Sequence, residues 1–329
     1  MASIRKVFFI CLVFVLGGFT VKAQKVGVMI MAHGGSQQWN DLVVQAAQPL
    51  TKKYIVSYAW GMGDPITLQK AVDELESKGV TKIIAVPLFI SSHSMVIRQT
   101  EFLLGLRDKM TDPPMPSMDH SGGSHDMSAM KSAHEMASTH GGHNMSHGNA
   151  PAAELKPLKI KAELVVTPAL DDNQIVASIL RDRAAALSTN PSKETVVLVA
   201  HGPNGEEDNQ KWIANLESLS QKIQKIQETR GPDFKQVFAV TVRDDADKAI
   251  FDQAKEQLRA LVRQAGLSGS VIVVPVFLSS GGREHAVAER LEGLNYKWNG
   301  KALLPDPRLS DFLAGSVNDA LKKSPVSKR

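Results

Sequence analysis

The chain of 329 residues holds a single cysteine, Cys11, and that residue sits in its first short apolar stretch. Beyond it there is no thiol. This excludes disulfides, thiolate-bound zinc and iron–sulfur clusters, and leaves His, carboxylate and Met as the side chains able to hold a metal. No glycine-rich phosphate loop is present, so nucleotide use is not indicated. There is also no block of basic residues. Arg5, Lys6 and Lys22 lie in the first 23 residues with no acid beside them, and without them the formal charge falls from +4 to +1. A near-neutral chain of that kind gives no electrostatic case for nucleic acid as a partner. Nor does any segment after the first 23 residues run long and apolar enough to cross a bilayer.

Those first residues read as a secretory leader. Arg5-Lys6 precede the apolar run Val7 to Val15, and Val21-Lys22-Ala23 supplies small residues at the cleavage positions. The expectation is therefore a signal peptide over 1–23, export to the periplasm or the medium, and no stable membrane insertion after cleavage. Composition outside the leader, 43% hydrophobic and 22% charged over the whole chain, is that of an ordinary globular protein.

From Lys25 onward, apolar β-rich runs alternate with helical periodicity. Strands are expected at Lys25–Ala32, Tyr54–Trp60, Lys82–Ile90 and Ile160–Thr167. A second series follows at Val196–Ala200, Phe234–Val242 and Val271–Leu278. Helices fill the gaps, one opening at Ser36 and one closing at Gly79. Alternation of this kind implies parallel sheets with right-handed crossovers. Between Thr111 and Pro157 the pattern breaks into Pro, Gly, Ser, Met and His, including His120, His125, His134, His140, His143 and His147. A stretch so poor in branched aliphatic residues cannot offset its ordering entropy and is expected to be a disordered insert over 111–157, either plain linker or a loose metal-gathering loop.

The two series match at three places. Met31-Ala32-His33-Gly34 answers Val199-Ala200-His201-Gly202, and Val86-Pro87-Leu88-Phe89-Ile90-Ser91-Ser92 answers Val274-Pro275-Val276-Phe277-Leu278-Ser279-Ser280. Thr167-Pro168 is set against Leu304-Pro305. The expected organisation is an internal duplication, with lobes at 24–190 and 191–329. In open parallel sheets ligands gather at the carboxyl edge of the strands. His33 and His201 fall at that edge, where a neutral imidazole can bind a divalent ion or accept a proton. His93 and His285, which follow the two Ser-Ser turns, are expected over the same edge.

An apolar strand ending in Ala-His-Gly, followed by Val-Pro-Leu-Phe-Ile-Ser-Ser with a nearby His, resembles the sirohydrochlorin cobaltochelatase family, the CbiX-type class II tetrapyrrole chelatases. The resemblance implies two flavodoxin-like, doubly wound parallel-sheet lobes. It also implies metal insertion into a tetrapyrrole ring, with a divalent ion (Co²⁺ foremost, Ni²⁺ or Fe²⁺ otherwise) as substrate. By the same resemblance His33 and His93 are the metal ligands of the first lobe, with His201 and His285 in the corresponding places of the second. The family's Glu-rich segment after the second strand reads here Ala59-Trp60-Gly61-Met62-Gly63-Asp64-Pro65. Met62 stands where the glutamate is expected, and Asp64 is the acid that remains. His33, His201 and Asp64 are thus the candidate catalytic groups, and tetrapyrrole and metal ion the expected partners of a monomeric pseudo-dimer or small homo-oligomer. A carrier or scavenger that keeps the fold without turnover is the competing expectation.

Overall fold

The computed structural model describes residues 24–114, 155–230 and 233–322. The expected leader, and all six histidines of the expected insert, lie outside the described residues.

The first unit runs β1 (Val26–Ala32), α1 (Gln37–Ala47), a 3₁₀ turn (Gln48–Lys52), β2 (Ile55–Trp60), α2 (Pro65–Ser77), β3 (Lys82–Pro87), α3 (Met95–Leu103), β4 (Glu163–Val166) and α4 (Gln174–Ala185). The second runs β5 (Glu194–Ala200), α5 (Glu206–Arg230), β6 (Gln236–Thr241), α6 (Lys248–Gly266), β7 (Ser270–Val276), α7 (Arg283–Arg290) and α8 (Arg308–Lys322). The first sheet has the order β2-β1-β3-β4 and the second β6-β5-β7, all pairs parallel. The first order is that of a flavodoxin-like sheet. Among the described residues the second sheet stops at three strands, with an isolated parallel bridge between Ile272 and Lys297 at its outer side.

Every central strand is apolar on both faces, as a doubly covered parallel sheet requires. On β1, Val28, Ile30 and Ala32 point to one side and Met29 and Met31 to the other. On β5, Val196, Leu198 and Ala200 separate in the same way from Val197 and Val199. The outer face of the first sheet is covered by α2 and α3, and that of the second by α6 and α7. The inner faces share one core, to which α1, α4, α5 and α8 all contribute.

That shared core is built by an exchange. Helix α4, which ends the first unit in sequence, packs on β7 and α5 of the second, while α8 packs on β3 and α1 of the first. A boundary near residue 190 therefore divides the chain but not the packing.

Two local expectations need correction. The first concerns equivalence. The Leu170 N–H donates to Phe89 O and the Asp171 N–H to Ile90 O, whereas Leu303 and Leu304 donate to Phe277 O and Leu278 O. Leu304-Pro305 is therefore the counterpart of Asp171-Asp172 and not of Thr167-Pro168. The second concerns the rim of the insert. Asp112 is held by Arg98 at 2.6 and 2.9 Å, Leu158 N–H donates to Leu103 O, and Leu155 packs on the outer core, so both ends of 111–157 are tied down. Helix α7 starts at Arg283, where Gly282 at φ +108° turns the chain directly into the helix.

Candidate metal site at the carboxyl edge

Each Ala-His-Gly motif ends a central strand in a tight turn. Gly34 and Gly202 have φ of +77° and +74°, and a Cβ on Gly202 would come within 2.5 Å of the Thr241 side chain. Glycine is needed there, and it sends the preceding histidine over the sheet edge. In both motifs the ring Nδ1 meets the next carbonyl, at 2.7 Å for His33 and Gly34 O and 2.5 Å for His201 and Gly202 O. An Nδ1–H donating to that carbonyl leaves the lone pair on Nε2, the tautomer a metal ligand needs.

From there the two histidines part. His33 is exposed, its ring 6.4 Å from that of Trp39. His201 is half-buried and its Nε2 lies 3.0 Å from Asp245 Oδ2. Asp245 also meets Arg283 at 3.2 Å, and Arg283 stands 3.6 Å from Asp244, itself paired with Arg290. The His201 imidazole, then the Arg283 guanidinium, hold the Asp245 carboxyl far below the ordinary carboxylate range, against the opposing effect of burial. The Nε2 edge of His201 is thus already faced by a carboxylate.

His93 lies on the β3–α3 loop. Because β3 pairs with β1, Met31 opposite Pro87, this loop leaves the sheet beside the turn that carries His33. The His93 N–H donates to Ser91 Oγ at 3.1 Å, and its carbonyl accepts from Trp212 Nε1 at 2.6 Å. Position for position, the Val274–Ser280 motif sets Gly281 against His93. His285 falls four residues later, in the first turn of α7, and is exposed.

Asp64 is buried and caps α2. Its Oδ1 accepts from Ile66 N–H at 2.7 Å and Thr67 N–H at 3.0 Å. Asp64 is a candidate catalytic acid by the family resemblance, yet Asp-Pro ahead of a helical run is also the signature of a cap followed by a first-turn proline. Among the described residues no three His, Cys, Asp or Glu side chains stand close enough to enclose a metal ion. The four histidines therefore form no single preassembled centre here. Two surface depressions of the first unit lie along α2, lined by Gln69, Asp73, Glu74 and Glu76 among others, and by none of these histidines.

The sequence profile of the CbiX family matches residues 27–187, the stretch that carries His33, Asp64 and His93. Residues 27–187 form a CbiX-family domain. The sirohydrochlorin cobaltochelatase of Methanococcoides burtonii is 31% identical over 74 residues, 21% of this chain and 56% of that protein. The Methanosarcina acetivorans enzyme of the same name is 29% identical over 90 residues, 26% of this chain and 69% of that one. The matched stretch thus spans between about half and two thirds of these relatives. Among solved structures, SirB from Bacillus subtilis with Fe³⁺ superposes with a TM-score of 0.58 at 10% identity, covering 91% of this chain and 96% of SirB. SirB from B. subtilis subspecies spizizenii with cobalt gives 0.52 at 11% identity, covering 90% and 95%. At those identities the likeness establishes the two-lobed chelatase-like fold.

Proposed function

We propose that the protein is a metal chelatase that acts outside the cytoplasm, inserting Co²⁺ or a similar divalent ion into a sirohydrochlorin-like tetrapyrrole. The observation that carries this reading is the His33 imidazole, exposed at the end of the CbiX-family domain's central strand, with Nδ1 anchored on Gly34 O. Imidazole is a borderline ligand, able to hold Co²⁺, Ni²⁺ or Fe²⁺ without trapping it. His93, from the neighbouring strand's loop, is the second ligand. The relatives' names, sirohydrochlorin cobaltochelatase, support the tetrapyrrole and cobalt as substrates.

Insertion requires the ion to shed water and the macrocycle to lose two pyrrole protons. An imidazole at this edge, on giving up its metal, can take one of those protons and pass it to solvent. The leader-like residues 1–23 support export.

The direct test is to mix the purified protein with metal-free sirohydrochlorin and Co²⁺, Ni²⁺ or Fe²⁺ in turn and follow the visible spectrum. Metallation faster than in protein-free controls is expected. If the ring stays metal-free at the control rate with all three ions, the chelatase reading is lost. For export, the mature protein isolated from its native host should start at Gln24. Recovery of intact full-length chain from the cytoplasm would overturn that part.

A second reading, a carrier of metal or tetrapyrrole without turnover, is favoured by one observation. Asp64, the acid near Met62, is committed to capping α2, and by the resemblance Met62 stands where a glutamate is expected. Stoichiometric binding with no release of metallated ring would select it. A scavenger dominated by the insert would lose its metal binding when residues 112–157 are deleted. Both other readings expect the remaining chain to bind.

A further inference from the structure

The loop that bears His93 is held from the other lobe. Helix α5 crosses the edge of the first sheet with Asp208, Trp212, Asn215, Ser218 and Lys222 along one face, spaced by three and four residues. Each of them bonds to the first unit. Trp212 Nε1 donates to His93 O at 2.6 Å. Asp208 forks with Arg98, five residues beyond His93 on α3, at 2.7 and 2.9 Å. Asn215 Nδ2 donates to Asp171 Oδ1 at 3.2 Å, and that carboxylate also takes Ser92 N–H at 2.7 Å and Ser92 Oγ–H at 2.6 Å. Ser218 and Lys222 both reach Asp172.

The main chain of His93 is therefore fixed on both sides, its N–H by Ser91 from its own loop and its carbonyl by a buried indole from the second lobe. Meanwhile the second lobe offers Gly281 where the first has His93, and its His201 is engaged by Asp245. A ligand on a free loop loses backbone freedom when it binds, and that loss opposes binding. A loop ordered beforehand avoids it.

From this geometry we infer that Trp212 and Asp208 are positioning residues for His93: the second lobe serves the first lobe's metal site by holding the β3–α3 loop. This rests on the reading of His33 and His93 as the metal-holding pair.

The test is a double-mutant cycle on the full chain with Co²⁺ alone as probe. It follows affinity by titration, Co²⁺ ligand-field absorption, and the melting temperature as a separate readout. The difference between wild type and His93→Ala isolates the His93-dependent binding from that of other sites. Trp212→Phe keeps an aromatic ring but removes the N–H; Asp208→Asn keeps the shape but removes the charge on Arg98. Each is expected to weaken the His93-dependent binding about three- to tenfold, as the loss of one well-made hydrogen bond does, with an altered absorption band. Neither should have any further effect when His93 is already Ala.

If Trp212→Phe and Asp208→Asn bind like wild type while His93→Ala is impaired, the positioning role is overturned and the metal-pair reading stands. Equal losses with and without His93 overturn it as well, because the effect is then general. If His93→Ala itself binds like wild type, the metal-pair reading falls and takes the positioning role with it. Should Trp212→Phe fail to fold, Asp208→Asn carries the same comparison.

Discussion

His201 Nε2 lies 3.0 Å from Asp245 Oδ2, while the matching histidine of the first unit, His33, stands exposed with its Nδ1 on the Gly34 carbonyl. The same motif thus yields one ring free to meet a cation and one already engaged with a carboxylate. The expected outcome is unequal. His33→Ala should weaken Co²⁺ binding at least tenfold by calorimetric titration, as the loss of one of two protein ligands would. His201→Ala should leave it within about twofold, because its Nε2 is already taken up facing the Asp245 carboxylate. Equal losses at the two positions would mean that the Asp245 contact opens readily and that both lobes bind.

Acid stability should depend on Glu194. Its carboxylate is buried at the start of β5, where desolvation alone would raise its pKa. Hydrogen bonds from Lys297 at 2.6 Å, from Ser188 and from Thr189 N–H at 3.1 Å outweigh burial and lower it to about 2. A carboxyl depressed in the folded state adds stability at pH values above its unfolded pKa of about 4.3, and loses it as pH falls through the folded value. The window is therefore about pH 4.5 down to 2, and the amount is on the order of 3 kcal/mol. In Glu194→Gln, denaturant midpoints measured across that window should vary less with pH than in wild type. At pH 7 the variant should be less stable by about 3 kcal/mol, since Lys297 loses its partner. A pH profile parallel to that of wild type would rule this linkage out.

Much of the fold was legible because strands buried on both faces announce themselves: the runs Lys25–Ala32, Lys82–Ile90, Val196–Ala200 and Val271–Leu278 are apolar segments bounded by turns, although the second and the last run past the strands, which end at Pro87 and Val276. The carboxyl-edge placement of His33 and His201 followed from the same runs. The contact of His201 with Asp245 did not, because 44 residues separate an otherwise ordinary imidazole from an acid on an exposed loop. The docking face of α5 was hidden for another reason. Asp208, Trp212, Asn215 and Ser218 do recur at helical spacing, but a mixed polar stripe reads as a solvated face unless the opposing loop is known. The misplaced match at Leu304-Pro305 shows the weakness of a two-residue motif. Backbone bonds to Phe277 and Leu278 set the correspondence, and the side chains do not encode it.

The exchange of α4 and α8 makes a thermodynamic prediction. Because Leu180 of α4 is buried in the same core as Leu198 of β5 and Leu313 of α8, neither sheet keeps its inner cover if the other unfolds. Calorimetry should show one cooperative transition. Leu180→Ala, which empties a fully buried leucine site, should lower it as a single peak by about 2–5 kcal/mol of stability. Two resolved peaks, with only one of them moved by Leu180→Ala, would show that the lobes fold independently.

Asp64 can be separated into its two candidate roles by choosing substitutions that keep one and remove the other. As a cap, its Oδ1 accepts from the Ile66 and Thr67 N–H groups, which Asn can also do, whereas Ala cannot. Loss of the cap should cost about 1 kcal/mol, so Asp64→Ala should unfold at lower denaturant and Asp64→Asn near wild type. As an acid–base group the order is different, because Asn can neither take nor give a proton, and both variants should then lose metallation rate alike. The geometry favours the first pattern: a carboxylate 4% exposed and bonded to two backbone donors is poorly placed to exchange protons with a macrocycle. Asp64→Asn is thus expected to retain the rate to within about threefold, the effect left to hydrogen-bond strength alone. If it instead keeps its stability and loses rate a hundredfold, Asp64 is the acid that substitutes for the glutamate replaced by Met62, and the catalytic reading of the second strand's turn is restored.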